Sequence, residues 1–249
     1  MLWHCLTQGL GHYPEMIYGK NRAMFLASQT YTLSPHFHNI QYRKHFGTLF
    51  PLRAKHWISK IGQSSSCIAA EVYDKQGSLL SQTVITFVLI DKQTRKPTNL
   101  PEFVSQTYQK RMKSLLQLDI QKISPPKIPS TSFELKRKVL HSECDMNLHA
   151  SQIFYLVWCS DAAAEAAKAS RFNHFTRHLE LYPLKCAEMH YLGEALANEE
   201  VTVNVWEDKE DPKRIIAAVC CKSRVIYHTV LEYYDGPHVT IEPHLESKL

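Results

Sequence analysis

Glu143-Cys144-Asp145-Met146-Asn147-Leu148-His149, followed by Ala150-Ser151-Gln152-Ile153-Phe154-Tyr155-Leu156-Val157-Trp158, is the stretch on which the reading of this chain turns. It sets a carboxylate, an amide and an imidazole at alternate positions just before an apolar, alanine-rich run. Alternation in an extended segment points Asp145, Asn147 and His149 the same way. The run behind them reads as a helix, Ile153–Ser170, built on strong helix formers from Asp161 to Lys168. A helix start offers free backbone N–H groups and a positive dipole end, which suit the polarising of a carbonyl oxygen. Ala150, Ser151 and Gln152 are the candidate donors, with Ser151 also placed to cap the helix through its hydroxyl. Carboxylate, amide, imidazole and oxyanion site are together the parts of an acyl-transfer or hydrolysis centre.

The pattern Asp-Met-Asn-x-His, then Tyr155 six positions after His149 and Trp158 three beyond that, resembles the active-site segment of plant acyl-ACP thioesterases. More broadly it resembles the hotdog thioesterases, whose pattern reads D-x-D-x-x-G-H-V-N-N-x-x-Y-L-x-W. Glu143, Asp145, His149, Tyr155, Leu156 and Trp158 fall in register with it. Leu148 stands where many members carry Gly, and Ala150-Ser151-Gln152 replace Val-Asn-Asn. Tyr155 and Trp158 are read as core residues of the helix. In the acyl-ACP enzymes a catalytic Glu lies three residues after a Tyr, on the strand following the helix. Tyr191-Leu192-Gly193-Glu194 has that spacing here. The resemblance therefore implies Glu194 as a catalytic carboxylate, with Glu188 its competitor and an insertion around Arg171–Leu181.

Working outward, the prolines of Ser124-Pro125-Pro126-Lys127-Ile128-Pro129 mark a linker between two runs of strands. The first comprises His56–Ile61, Cys67–Tyr73 and Leu79–Ile90, with a turn at Asp74–Gly77. The second comprises Val201–Trp206, Ile215–Cys221 and Val225–Tyr234, after an entering strand Phe133–Leu140 and with sheet strands from about Ala187. Both read as antiparallel meanders, rich in β-branched and aromatic residues. The first closes on Asp91-Lys92-Gln93-Thr94-Arg95-Lys96-Pro97, which resembles the D-x-x-T-R-K-P ending of acyl-CoA thioesterase hotdog domains.

The expected fold class is thus α+β, a tandem or double hotdog in which antiparallel sheets wrap central helices. Expected boundaries are 1–105 for a first, non-catalytic hotdog and 106–130 for a linker with a basic helix at Gln109–Lys122. Residues 131–237 would form the second, catalytic hotdog and 238–249 a polar tail. The first hotdog reads as incomplete at its N-terminal side. Leu2–Thr7 resembles the tail of a hotdog helix, and Gly47–Leu52 offers no second catalytic acid. One site is expected, with the first half as lid and scaffold. A homodimer would be one way to repair that half.

The chain of 249 residues is 44% hydrophobic and 21% charged, ordinary for a soluble globular protein. Its longest apolar run, Val84–Ile90, is strand length, so no membrane span is expected. No secretory signal is visible at the N-terminus. Seven Cys without CxxC spacing read as reduced thiols, and Cys144, expected to point away from Asp145, as structural. Fourteen His give no ligand spacing, and His36-x-His38 reads as a loop pair, so neither metal nor cofactor is expected. A net charge of +5 without a basic stripe argues against nucleic acid and is compatible with drawing in a polyanion such as CoA.

The last residues are Ser247-Lys248-Leu249, the tripeptide read by the peroxisomal import receptor. Peroxisomes handle acyl groups as CoA thioesters. The expected activity is therefore hydrolysis of fatty acyl-CoA in the peroxisomal matrix, with a cytoplasmic address as the alternative. Other readings are a catalytically inactive acyl-CoA-binding hotdog protein and a hotdog enoyl-CoA hydratase or dehydratase.

Overall fold

A computed structural model of the chain describes residues 21–38, 50–102, 104, 106, 124–145 and 148–235. Its order is β1 (Arg22–Leu33), β2 (Arg53–Ile61), β3 (Ser65–Tyr73), β4 (Leu79–Asp91), β5 (Phe133–Lys138), helix α1 (Gln152–Lys168), β6 (Leu184–Tyr191), β7 (Glu200–Glu207), β8 (Arg214–Cys221) and β9 (Arg224–Tyr233). Hydrogen-bonded neighbours run β2-β3-β4-β1-β6-β9-β8-β7-β5 in a nine-stranded sheet. The chain divides into two compact units. One holds Met1–Gln29, Lys55–Ala70 and Val84–Gln121, and the other Thr30–Ala54, Glu71–Thr83 and Lys122–Leu249.

The larger unit carries the antiparallel pairs β5–β7, β7–β8, β8–β9 and β6–β9. Strand periodicity decides which side chains face α1. Val203 pairs with Val219, Val219 with Tyr227, and Tyr227 with Tyr191, making one row across the sheet. Val205, Ala217, Thr229 and Met189 make the next. These residues are all buried. Over them lie Ala162, Ala163, Ala166 and Ala167, whose small side chains let the helix backbone approach the strands closely. Trp158 and Cys159 fill the space beside them and are fully buried. Truncating Trp158 to Ala would cost about 3–5 kcal/mol at such a site.

β5 is an edge strand, and Glu134, Lys136, Arg137 and Lys138 give it charges that discourage pairing with another chain. α1 ends in a Schellman motif. Arg171 N–H donates to Ala166 O and Ser170 N–H to Ala167 O, both at 3.0 Å, with Ser170 at φ 54°. The insertion expected around Arg171–Leu181 packs as an aromatic knot. Phe175 meets Tyr182 at 5.0 Å and Tyr233 at 5.1 Å, ring centre to ring centre. Glu207 holds this loop by accepting the N–H groups of Asn173 and His174.

In the smaller unit, the ends of β2, β3 and β4 bury Ile58, Ile68, Ile85 and Leu89. The D-x-x-T-R-K-P segment is a closing turn. Asp91 accepts the N–H groups of Gln93 and Thr94, and these bonds, led by that of Thr94, hold its carboxyl below the ordinary value.

Three expectations are corrected. Strand β1 has no counterpart in the sequence reading. Its buried face includes Leu26 and Ser28 among small and polar residues, so the apolar alternation that marks a strand is weak. β6 starts at Leu184 rather than near Ala187, because the pairing with β9 extends to Tyr233. α1 begins at Gln152 and stops at Lys168, two residues before Ser170. The segments Leu2–Thr7 and Gln109–Lys122, and the first half of Gly47–Leu52, lie outside the described residues. The six described cysteines are unbridged.

Candidate active site

The polypeptide leaving β5 makes a short 3-10 turn, His141–Glu143, before reaching the motif. Glu143 is buried there. It accepts the Leu140 N–H at 2.9 Å and the Trp158 indole N–H at 3.0 Å, and it pairs with Arg137. Burial alone would raise its carboxyl pKa, but these three partners together hold it below the ordinary value. Arg137 also lies over the Trp158 ring, 4.7 Å from its centre. Glu143 thus ties the incoming chain to α1.

Beyond it the expected extended segment is instead a tight reversal. Cys144 bridges to Ala150, Asp145 N–H donates to His149 O at 2.8 Å, and Leu148 N–H donates to Asp145 O at 3.0 Å. Leu148 sits at φ 63°, the left-handed region, at the position where the resembling family carries Gly. Asp145 and His149 therefore meet across a turn rather than by strand alternation. Asp145 Oδ1 accepts the His149 backbone N–H at 3.1 Å. Asn147 lies outside the described residues. Cys144 donates to Leu140 O at 3.3 Å. Burial, then the charges of Asp145 and Glu143, push its thiol pKa up, which disfavours the thiolate.

From His149 the chain pairs with the segment after β6. His149 bridges to Leu196, Ala150 N–H donates to Ala195 O at 2.8 Å, and Ala197 N–H donates to Leu148 O at 2.9 Å. Gly193 makes the approach to this segment feasible. A Cβ at that position would lie 3.0 Å from the Ile226 Cγ2, while the N–H groups of Leu192 and Gly193 both reach Ile226 O. The pairing puts Glu194 Oε1 3.7 Å from His149 Nδ1, with both side chains about 30% exposed. Glu188, the competing carboxylate, lies on β6 opposite Val230. It alternates with Ala187 and Met189 and so points away from α1.

The helix start is corrected by one residue. Ala150 N–H is engaged by Ala195 O and Ser151 N–H by Glu143 O, so neither is available to a ligand. Ser151 is the N-cap in extended conformation, but its hydroxyl makes no capping bond. Among the described residues, the N–H groups of Gln152 and Ile153 meet no backbone carbonyl, and both residues are exposed. The donors on offer are therefore those of Gln152 and Ile153. Ile153 was not singled out from sequence, because only the long-range bonds of Ala150 and Ser151 reveal the shift. Leu148, Ile153 and Leu196, next in sequence or paired to the site residues, are exposed apolar side chains at 54%, 57% and 44%.

Behind the site, Tyr155, Tyr191 and Tyr227 form a buried cluster, with Tyr155 stacked on Tyr227 at 5.2 Å. The Tyr155 hydroxyl accepts the Ala195 N–H at 2.9 Å. Burial pushes its pKa up to about 12, so the phenol is neutral near pH 7. Among the described residues no group of three or more His, Cys, Asp and Glu is placed to hold a metal ion, and no helix is long and apolar enough to cross a membrane. His36 pairs with the buried Asp74 at 3.1 Å, and His38 bonds Leu184 O at 2.7 Å. Ser247, Lys248 and Leu249 lie outside the described residues.

No protein-family model matches the sequence, and no curated protein matches it. Solved structures do match in shape. The 12:0-ACP thioesterase from Umbellularia californica superposes with a TM-score of 0.67 at 14% identity, covering 93% of this chain and 82% of that one. An acyl-ACP thioesterase from Bacteroides thetaiotaomicron gives 0.63 at 17% identity, covering 94% and 88%. Sheet, helix and these superpositions agree, and the chain has the hotdog fold of the acyl-ACP thioesterases.

Proposed function

We propose that this protein is a thioester hydrolase that cleaves fatty acyl-CoA to free acid and CoA. The observation that carries the reading is the convergence of Glu194, His149 and Asp145 in front of a helix start with two N–H groups on offer. In this reading the thioester carbonyl lies over the helix start, its oxygen taking the N–H groups of Gln152 and Ile153. Glu194, whose Oε1 lies 3.7 Å from His149 Nδ1, draws a proton from a water molecule bound beside this pair. The resulting hydroxide attacks the carbonyl carbon, and the tetrahedral intermediate expels the thiolate of CoA. Asp145 shapes the turn that presents His149. Asn147, by its place in the motif, completes the grip on water and thioester. Neither metal nor cofactor is required by this chemistry. The exposed apolar side chains of Leu148, Ile153 and Leu196 beside the motif suit contact with an acyl chain.

The tandem reading has support in strand order. The second half runs β6-β9-β8-β7-β5 and the first β1-β4-β3-β2, the same order with no counterpart of β5 among the described residues. We therefore read two hotdogs, the first serving as scaffold. The choice of CoA over a carrier protein rests on Ser247-Lys248-Leu249 and on the positive net charge. A fluorescent fusion that loses its punctate peroxisomal distribution when these three residues are removed would support that address, and a diffuse signal in the intact protein would contradict it.

The activity is tested by following free-thiol release from short, medium, long and branched acyl-CoA and from matched acyl-ACP. Turnover with a preference for the CoA series is expected. Preference for acyl-ACP would overturn the substrate assignment, and binding without release above buffer would make the protein an acyl-CoA binder.

A further inference from the structure

Ala195, the residue after Glu194, is fully buried and held by both of its backbone groups. Its carbonyl accepts the Ala150 N–H at 2.8 Å, which fixes it to the strand bearing His149. Its N–H points the other way and donates to the Tyr155 hydroxyl at 2.9 Å. Tyr155 is itself fixed: it lies in the first turn of α1, is 2% exposed, and packs against Trp158 at 5.0 Å and Tyr227 at 5.2 Å. The Glu194–Ala195 peptide is thus clamped between helix start and motif strand. Glu194 projects from that clamp toward His149, its side chain about a third exposed.

From this geometry we infer that Tyr155 is a positioning residue for the proposed hydrolysis, setting the distance between Glu194, His149 and the helix-start N–H groups. The inference rests on Glu194 being the base. The hydroxyl serves as acceptor for a backbone N–H and does not touch the substrate. Because the same first turn supplies Gln152 and Ile153, the tether couples the base to the oxyanion donors through one rigid element. Losing it lets the Glu194 segment drift, and misplacement of about 1 Å in such a constellation costs on the order of a hundredfold in rate.

The experiment is a double-mutant cycle on acyl-CoA hydrolysis with Tyr155→Phe and Glu194→Gln, read together with amide hydrogen exchange at Ala195. Tyr155→Phe is expected to lower kcat about tenfold or more with KM within about twofold, and to expose the Ala195 amide to exchange. In the Glu194→Gln background the same change should lower kcat no further. If Tyr155→Phe fails to fold, replacement of Ala195 by its α-hydroxy acid removes only the N–H and should reproduce the loss of kcat. Equal losses in both backgrounds would show a general structural effect and overturn the positioning role. So would unchanged kcat in Tyr155→Phe while Glu194→Gln is dead. Full turnover in Glu194→Gln would instead overturn the hydrolytic assignment of Glu194, whatever Tyr155 does to the Ala195 amide.

Discussion

Leu148 occupies the left-handed region at φ 63° with its side chain 54% exposed. A non-glycine residue there is strained by about 1–2 kcal/mol, and little packing would be lost with the side chain. Leu148→Gly is therefore expected to leave stability unchanged or raise it by up to about 1 kcal/mol, after the entropy cost of glycine, as read by chemical denaturation. Glu143 gives a larger effect of opposite sign. Glu143→Gln leaves Arg137 without its anion and should cost about 2–4 kcal/mol at pH 7. The sign with pH follows from its depressed pKa: the stabilisation is present above the ordinary carboxylate value near 4.3 and is lost as pH falls toward the folded value. The acid limb of stability against pH should be shallower in Glu143→Gln than in wild type. At this scale the sequence showed residue type and spacing. Glu194 was reached from its distance to Tyr191, and the structure sets it beside His149. The donors were harder to read, because whether Ala150 or Ser151 keeps a free N–H depends on Ala195 O and Glu143 O, one of them 45 positions away.

Among the elements, α1 ends on Ser170 in the left-handed C′ position of its Schellman motif. Ser170→Gly should stabilise the protein by about 0.5–1 kcal/mol, seen as a rise in denaturation midpoint without a change in m-value. On the sheet face away from α1, His190 of β6 and His228 of β9 are register partners, their rings stacked at 4.6 Å. His228 is 1% exposed, and its Nε2 meets no hydrogen-bond partner among the described residues. Burial, then the neighbouring His190, lowers its pKa to about 4. The unfolded chain, with a His pKa near 6.5, binds that proton first, so folding is progressively penalised as pH falls from about 6.5 to 4. His228→Phe should remove part of that slope and be near neutral in stability at pH 7, as a pH series of denaturation midpoints would show. The elements that announced themselves were those with an unambiguous pattern: α1 from its alanine face, and β7 from the alternation of Val201, Val203 and Val205. β1 did not, since burial of Ser28 beside Leu26 is decided by neighbouring strands rather than by local hydrophobicity.

At the scale of the molecule, α1 over the antiparallel sheet of the larger unit fixes where the proposed chemistry can occur. The helix start must lie where the chain passes between β5 and α1, and the segment beyond β6 must pair with it. Gly193 and the Ala195 pairing bring that about, and sequence separation hid it. In the larger unit the helix and its sheet were legible, because the motif names the place of α1 and the second run of strands names the sheet it packs on. The most direct test of the central claim is single-turnover hydrolysis of a fatty acyl-CoA by wild type and Glu194→Gln, with thermal midpoints measured in parallel. The account predicts a fall in rate of about 10²–10⁴-fold in the variant, with the midpoint nearly unchanged because the carboxylate is partly open to solvent and the substitution keeps its shape. A variant that hydrolyses as fast as wild type would contradict it.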